Sequence, residues 1–495
     1  MDKFYLTTPI YYVNAKPHIG HAYTTLAADV LTRHYRRQLG REAVFFLTGT
    51  DEHGAKIAEA AQAAGMSSQQ FCDQIAPLFA ATWRELNIEY SQFIRTTNSY
   101  HMQGAQQFIS QLKSQGALYE GDYCGLYCTG CESFLTERQL DERGFCPDHK
   151  KPPQKVTEKN WFFKLSDYLP QIKILIENDE IKISPPVRKQ EVLGLFKQGI
   201  EDFSVSRPQV EWGIPLPWDK EQTIYVWVEA LLNYWTAVQH NSAPGLGTEG
   251  LDKFWPPDLH LMAKDIIKFH CLFWPAMLLA YYKNDPRQLP RQIFAHGFFT
   301  INGEKMSKTL GNVIDPSQLV HDYGDDGARY LILSQFPFGS DGDIEASRFK
   351  EKFNADLANG IGNLVSRTTH LCLKQINDWA DFWSIVQQKL PKQQPAWNHY
   401  QTLMSELKLY DVLKEIMQLA KENDQLLASE KPWSLDATVK QEQIIGVLGR
   451  VTAAIDLMAR ELAPFLPKTA EKITAMLNIP NQKITLGSSL FPKVT

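Results

Sequence analysis

At 495 residues the chain is too long for a single hydrophobic core, and several domains are expected. Its 44% hydrophobic and 22% charged residues are those of an ordinary globular protein. A formal net charge of -5 excludes gross polybasic binding to nucleic acid or lipid, though not a local basic surface.

The N-terminus has no charged segment leading into a long apolar core, so no secretory signal is read. The apolar run Phe4–Ile10 predicts a strand, and Ala22–Leu39 a helix. The stretch between them, TTPIYYVNAKPHIGH (Thr7–His21), reads as strand, loop and helix start. His18 and His21 then lie at a helix N-terminus, where backbone N–H groups and the helix dipole favour an anion. Their i, i+3 spacing sets both imidazoles on one face, and Gly20 lets a flat ligand approach the backbone. A second strand, Ala43–Thr48, and a helix over Lys56–Ala64 continue the alternation. Strand-helix alternation predicts a doubly wound parallel, Rossmann-like sheet. The loop TGTDEHG (Thr48–Gly54) would sit beyond the carboxyl end of the second strand. Residues 1–115 are read as the first half of this domain.

Residues 116–221 change character, with short turns and the motifs CTGC, CPDH, ISPPVR and WGIPLPW. They read as an insertion carrying a small metal-stabilised lobe. Of the seven cysteines, four fall between Cys124 and Cys146, a clustering that points to metal in a reducing compartment. Cys128, Cys131, Cys146 and His149 form two knuckles whose spacing suits one tetrahedral, structural zinc ion. Cys124 lies outside the pattern. Three isolated thiols would give no such paired spacing.

The alternation returns over 222–300. Thr223–Val228, Leu259–Ala263 and Ile293–His296 predict strands, with a helix over Asp265–Leu279. The longest apolar run, Cys271–Tyr282, contains Pro275 and is shorter than the ~20 residues that span a bilayer. No membrane association is expected, and the cytoplasm is the expected location. Residues 301–352 hold the turn-prone loop NGEKMSKTLGN and a linking segment. Lys305 and Lys308, with small hydroxyl residues beside them, suit a triphosphate. From about 353 to 495 the pattern is that of an all-α bundle. Ile444, Leu448, Val451, Ile455, Met458 and Leu462 form one apolar stripe, and Leu403, Leu407, Tyr410, Leu413, Met417 and Ala420 a second.

Taken singly, HxxH at a helix start and a lysine pair in a loop are weak signals. Together, HIGH near the start and KMSKT far downstream resemble the signature pair of class I aminoacyl-tRNA synthetases. LTTPIYYVNAKPHIGHAYTT, FLTGTDEHGAKI, YVWVEALLNY, AKDIIKFHCLFWPAML and HGFFTINGEKMSKTLGN narrow the resemblance to methionyl-tRNA synthetases, in that family's order. NADLANGIGNLVSR and LAPFLPKTAEKI extend it into the bundle.

The resemblance implies ligation of L-methionine to tRNA(Met), including the initiator, through a methionyl-adenylate, with ATP and Mg2+ as substrate. Pro9, Ile10, Tyr12, Trp227, Ala230, Leu231, Tyr234, Ile266 and His270 would line the methionine pocket, and Asp51 would hold the ammonium. Leu231 stands where some relatives have proline. His18, Gly20, His21, His296, Lys305, Met306, Ser307 and Lys308 would serve ATP, with His18, His21, Lys305 and Lys308 catalytic. Asn363, Arg367 and Trp433 would read the anticodon. On spacing alone, Trp227, Tyr234 and Trp433 would be core residues, and Asn363 and Arg367 caps or ion-pair partners. The chain resembles a single-zinc-knuckle form without a C-terminal dimerisation domain, so a monomer is expected. Synthetases for cysteine place an open zinc site on the substrate, and those for branched aliphatic residues carry larger insertions. A non-catalytic RNA-binding module would not need intact HIGH, KMSKT and TGTDEHG.

Overall fold

In the computed structural model the first apolar run forms β1 (Phe4–Tyr12), which leads through a loop into α1 (Ile19–Leu39). The structure describes residues 2–128, 133–135, 137, 140–147, 150–208, 210–239, 251–301, 303–306, 312–390 and 395–495. The chain divides into two units. The first comprises Met1–Pro17, Tyr35–Ala81 and Glu89–His296; the second comprises His18–His34, Thr82–Ile88 and Gly297–Thr495.

The first unit is built on a six-stranded parallel sheet. With β2 (Val44–Asp51), β3 (Gln92–Arg95), β4 (Lys182–Ser184), β5 (Leu259–Ala263) and β6 (Gln292–His296), the order is β3-β2-β1-β5-β6-β4. The winding reverses between β1 and β5, where Thr7 pairs with His260 in register. Ligands in such sheets sit beyond the carboxyl ends of the strands at this reversal. β1 and β2 are buried almost throughout, which explains runs that are apolar without alternation. Their register slips between Thr7 and Ile10, a bulge at Pro9, whose missing N–H could not serve the ladder.

The segment 116–221 forms a four-stranded antiparallel sheet around the long pair Leu118–Cys128 and Gln154–Phe163. It also supplies β4 to the edge of the parallel sheet.

Three sequence expectations are corrected here. Thr223–Val228 is not one strand: Gln222–Ile224 is a short strand and Val226–Leu231 a helix. A short apolar run buried on all sides has no period by which to tell the two apart. The helix expected over Asp265–Leu279 is a short 3-10 turn, a π-helical turn over Phe269–Phe273, and an α-helix over Trp274–Tyr281. Pro275 lacks the N–H for an α-bond, and the wider turn before it accommodates that loss. The stripe Leu403–Ala420 is split between helices Pro395–Ser405 and Leu409–Glu430, with Leu407 left-handed at φ 58°.

The second unit contains a small sheet of Phe299–Ile301, Glu304–Lys305 and Gly342–Ile344, then mostly helices. Its centre includes one fully buried guanidinium. Arg329 pairs with Asp29 at 2.7 Å and donates to the carbonyls of Leu86, Phe465 and Pro464. Among the described residues, no helix is long and apolar enough to cross a membrane.

Candidate active site

In the first unit, the ends of β1 and β2 bring Tyr12 beside Asp51 in register. Asp51 is buried, and its carbonyl accepts from the Val13 N–H at 3.2 Å. The Tyr12 hydroxyl donates to the His53 carbonyl at 3.0 Å. Gly54 follows at φ 109°, a conformation that a side chain would strain, and its N–H donates to the Trp212 carbonyl.

Other candidate pocket residues lie on the helices of YVWVEALLNY and on the π turn. Trp227 stacks on Phe269, centroids 4.3 Å apart and planes within 8°. The Tyr234 hydroxyl lies 2.8 Å from His270 Nε2, and the Tyr234 carbonyl accepts from the Tyr5 hydroxyl. His270 Nδ1 lies 3.0 Å from the Ile266 carbonyl, which cannot donate. The proton is therefore on Nδ1, and Nε2 accepts from Tyr234. The same logic fixes His260: Trp274 donates to Nε2, so Nδ1–H donates to Thr7. Aromatic walls with one carboxylate at the strand ends suit a small apolar molecule bearing an ammonium group.

Burial lowers the His270 pKa to about 4, against an opposing contribution from its bond to the Ile266 carbonyl. The unfolded chain therefore binds the extra proton below pH 6.5 while the folded chain refuses it until about 4. Stability from this group is complete above pH 6.5 and falls as the pH drops through that window, by up to roughly 3 kcal/mol. We expect His270→Gln to melt with a shallower pH dependence between pH 6.5 and 4 than the parent. Parallel melting curves for the two proteins would refute the assignment.

A network that the sequence reading missed lies under this wall. Glu229 is fully buried, with Oε1 2.9 Å from His53 Nδ1 and Oε2 3.0 Å from His101 Nε2. His101 Nδ1 in turn lies 2.8 Å from the Thr236 hydroxyl. Burial alone would raise the Glu229 pKa, but the two facing imidazoles hold it below the ordinary value. An ionised carboxylate only accepts, so both facing nitrogens carry hydrogens. The available signal was the histidine in TGTDEHG and the glutamate in YVWVEALLNY. Beside them, Arg95 grips Glu52 through two bonds of 2.7 and 2.9 Å.

In the second unit, the rings of His18 and His21 stack with centroids 3.8 Å apart. His18 Nδ1 accepts from the Gly20 N–H at 3.0 Å, and His21 Nδ1 from the His18 N–H at 3.2 Å. In the neutral rings the protons are then on Nε2, the donor a phosphate oxygen needs. This corrects part of the sequence expectation. The N–H groups of Ile19 and Gly20 are taken, by the Ile314 carbonyl and by His18, so the helix start offers imidazoles rather than those amides. A Cβ on Gly20 would meet His18 Cε1 at 2.8 Å and Met306 Cε at 3.4 Å, so HIGH and the start of KMSKT lie close together. Ser307 and Lys308 lie outside the described residues; Lys305 is placed by its backbone in Glu304–Lys305. His296 is buried at the end of β6, in the first unit.

Of the candidate metal ligands, Cys128 and Cys146 are buried. Backbone bonds Cys146 N–H to the Lys151 carbonyl and Lys150 N–H to the Cys146 carbonyl close a tight turn at the second knuckle. Two protected thiols, one on such a turn, fit a zinc knuckle. Cys131 and His149 lie outside the described residues, and among those described no group of three or more ligands gathers. In the bundle, the Arg367 guanidinium lies 4.2 Å over the Trp433 ring and 3.2 Å from Asp424. Trp433 is 42% exposed, unusual for so large an apolar side chain. Asn363 is exposed at the start of the helix Asn363–Gln375 that carries Arg367.

The family described as tRNA synthetases class I (M) matches residues 4–156 and 149–369. A methionine–tRNA ligase of Clostridium tetani is 39% identical over 99% of this chain and 78% of its own. One from Thermotoga maritima is 40% identical over 95% and 74%. The solved structure of Mycobacterium tuberculosis methionyl-tRNA synthetase in complex with methionyl-adenylate superposes with a TM-score of 0.90 at 31% identity, covering 99% of this chain and all of that one.

Proposed function

The chain belongs to the methionyl family of class I tRNA synthetases, and from that premise we propose how its residues share the work. It ligates L-methionine to tRNA(Met) at the expense of ATP, through methionyl-adenylate, releasing AMP and pyrophosphate. The observation that carries this is likeness along nearly the whole chain to methionine–tRNA ligases and to one such fold holding methionyl-adenylate.

In our reading Asp51 takes the substrate ammonium, and Pro9, Ile10, Tyr12, Trp227, Ala230, Leu231, Tyr234, Ile266 and His270 enclose the thioether. His18 and His21 donate through Nε2 to the triphosphate, and Gly20 leaves room for it. Lys305 and Lys308 add mobile positive charge, with His296, Met306 and Ser307 beside the nucleotide and Mg2+ carried in on ATP. A methionine carboxylate oxygen attacks the α-phosphorus, the bond to the bridging oxygen breaks, and pyrophosphate leaves. The protein supplies position and preorganised charge. A terminal ribose hydroxyl of the tRNA then attacks the adenylate carbonyl and AMP leaves.

The domain reading is the one drawn from the sequence: catalytic halves at 1–115 and 222–300, an insertion at 116–221, a linking segment at 301–352 and an anticodon bundle at 353–495. One structural zinc on Cys128, Cys131, Cys146 and His149 closes the inserted lobe, and elemental analysis should return one zinc per chain. A cytoplasmic monomer completes the reading. Trp433, with Arg367 against it, offers an aromatic platform to an unstacked base, and Asn363 reads an adjacent one. Stacking on an aromatic side chain is worth about 1–3 kcal/mol per base. Trp433→Ala should therefore lower aminoacylation roughly 10- to 100-fold and leave methionine activation near normal. Equal loss in both steps would mean that Trp433 serves folding.

Pyrophosphate exchange with each of the twenty amino acids tests the function. Exchange supported by methionine is expected, and silence with all twenty would overturn the reading.

A further inference from the structure

A fully buried carboxylate needs a reason, and Glu229 has one in what it joins. Its own helix, Val226–Leu231, carries Trp227, Ala230 and Leu231. The imidazole it holds belongs to His53, two residues beyond Asp51, and the His53 carbonyl receives the Tyr12 hydroxyl. One carboxylate thus ties the helix that carries Trp227 to the strand-end loop that carries Asp51 and orients Tyr12. Its other oxygen is held by His101, which is buried and braced by Thr236. The neighbouring residue in that loop, Glu52, is anchored separately by Arg95, Thr97 and Thr50. Among the described residues, Glu229 is the acceptor that faces the His53 ring.

We infer that Glu229 is a positioning residue for the amino-acid substrate, fixing the distance between the two walls of the methionine pocket through His53 and His101. The inference rests on the pocket reading given above. A glutamine at this position keeps the shape but has one acceptor oxygen and one NH2 group. The NH2 group would face an imidazole N–H, and that ring must change tautomer or turn away. The wall behind Tyr12 then loses its anchor while His18, Gly20 and His21, on the other unit, keep theirs.

The test is steady-state pyrophosphate exchange with the full chain. For Glu229→Gln we expect the KM for methionine to rise about tenfold, the KM for ATP to stay within about twofold and kcat within about threefold. An unchanged methionine KM, or equal rises in both KM values, would overturn the inference. If Glu229→Gln does not fold, two variants of His101 decide the matter. His101→Gln keeps a donor toward Glu229 and should hold the methionine KM within about threefold. His101→Phe fills the space without a donor and should raise it about tenfold. Equal behaviour of these two would refute the brace. Trp227→Ala separates the two readings: if it raises the methionine KM while Glu229→Gln and His101→Phe do not, only the brace fails. If Trp227→Ala is silent, the pocket reading itself fails.

Discussion

Gly20→Ala should cut methionine-dependent pyrophosphate exchange by about 100-fold, or roughly 3 kcal/mol of barrier. The added Cβ would lie 2.8 Å from His18 Cε1 and 2.9 Å from Nδ1, well inside contact. The His18 ring cannot simply slide, because it stacks on His21 with centroids 3.8 Å apart. Moving it breaks the bond from the Gly20 N–H that fixes its proton on Nε2. The loss should appear in kcat and in the KM for ATP, with the KM for methionine nearly unchanged. Circular dichroism and the melting temperature should match the parent, since Gly20 lies in the first turn of an otherwise sound helix. Exchange within threefold of the parent would show that the ring does not contribute at this position.

Arg329→Ala should destabilise the second unit by about 3–5 kcal/mol, the usual result of removing one partner from a buried ion pair. Asp29 would keep Arg33 at 2.8 Å, which places the loss toward the lower end. The carbonyls of Leu86, Phe465 and Pro464 would lose their donors without gaining water. For a unit of this size the melting temperature should fall by about 10 °C. Arg329→Lys should recover only part of it, because an ammonium has three donors and no planar fork. A melt of the alanine variant within 2 °C of the parent would refute the ledger of bonds drawn around this side chain.

How legible was all this in the sequence? β1 and β2 were, as apolar runs rich in β-formers, and α1 was, as a long helical pattern directly after the first of them. The reversal between β1 and β5 was not, since register between strands so far apart leaves no local mark. Trp227 falls in an expected strand but lies on the helix Val226–Leu231, because short apolar runs do not declare their period. His18 and His21 were read as partners of a helix amide site. The fold shows that the Ile19 and Gly20 amides are already bonded and that each imidazole accepts a backbone N–H at Nδ1. The pairing of Glu229 with His53 and His101 was not legible for a related reason: a buried network is made by side chains that meet across the fold, and the pairing leaves no mark in any one segment. The bundle stripe at Leu403–Ala420 misled because a left-handed residue, Leu407, can interrupt a helix without glycine or proline to announce it.

The π turn at Phe269–Phe273 has a consequence for comparing sequences. Such a turn is an α-helix that has absorbed one extra residue, so a relative without it can keep the flanking helix and lose one position. In an alignment this would look like a trivial single-residue gap inside a helix. It would in fact rotate Ile266 by about 100° relative to the helix that begins at Trp274, carrying it off the face it now presents. A gap at this place would therefore mark a changed face at Ile266, and indel-tolerant scoring that treats it as neutral would discard the information.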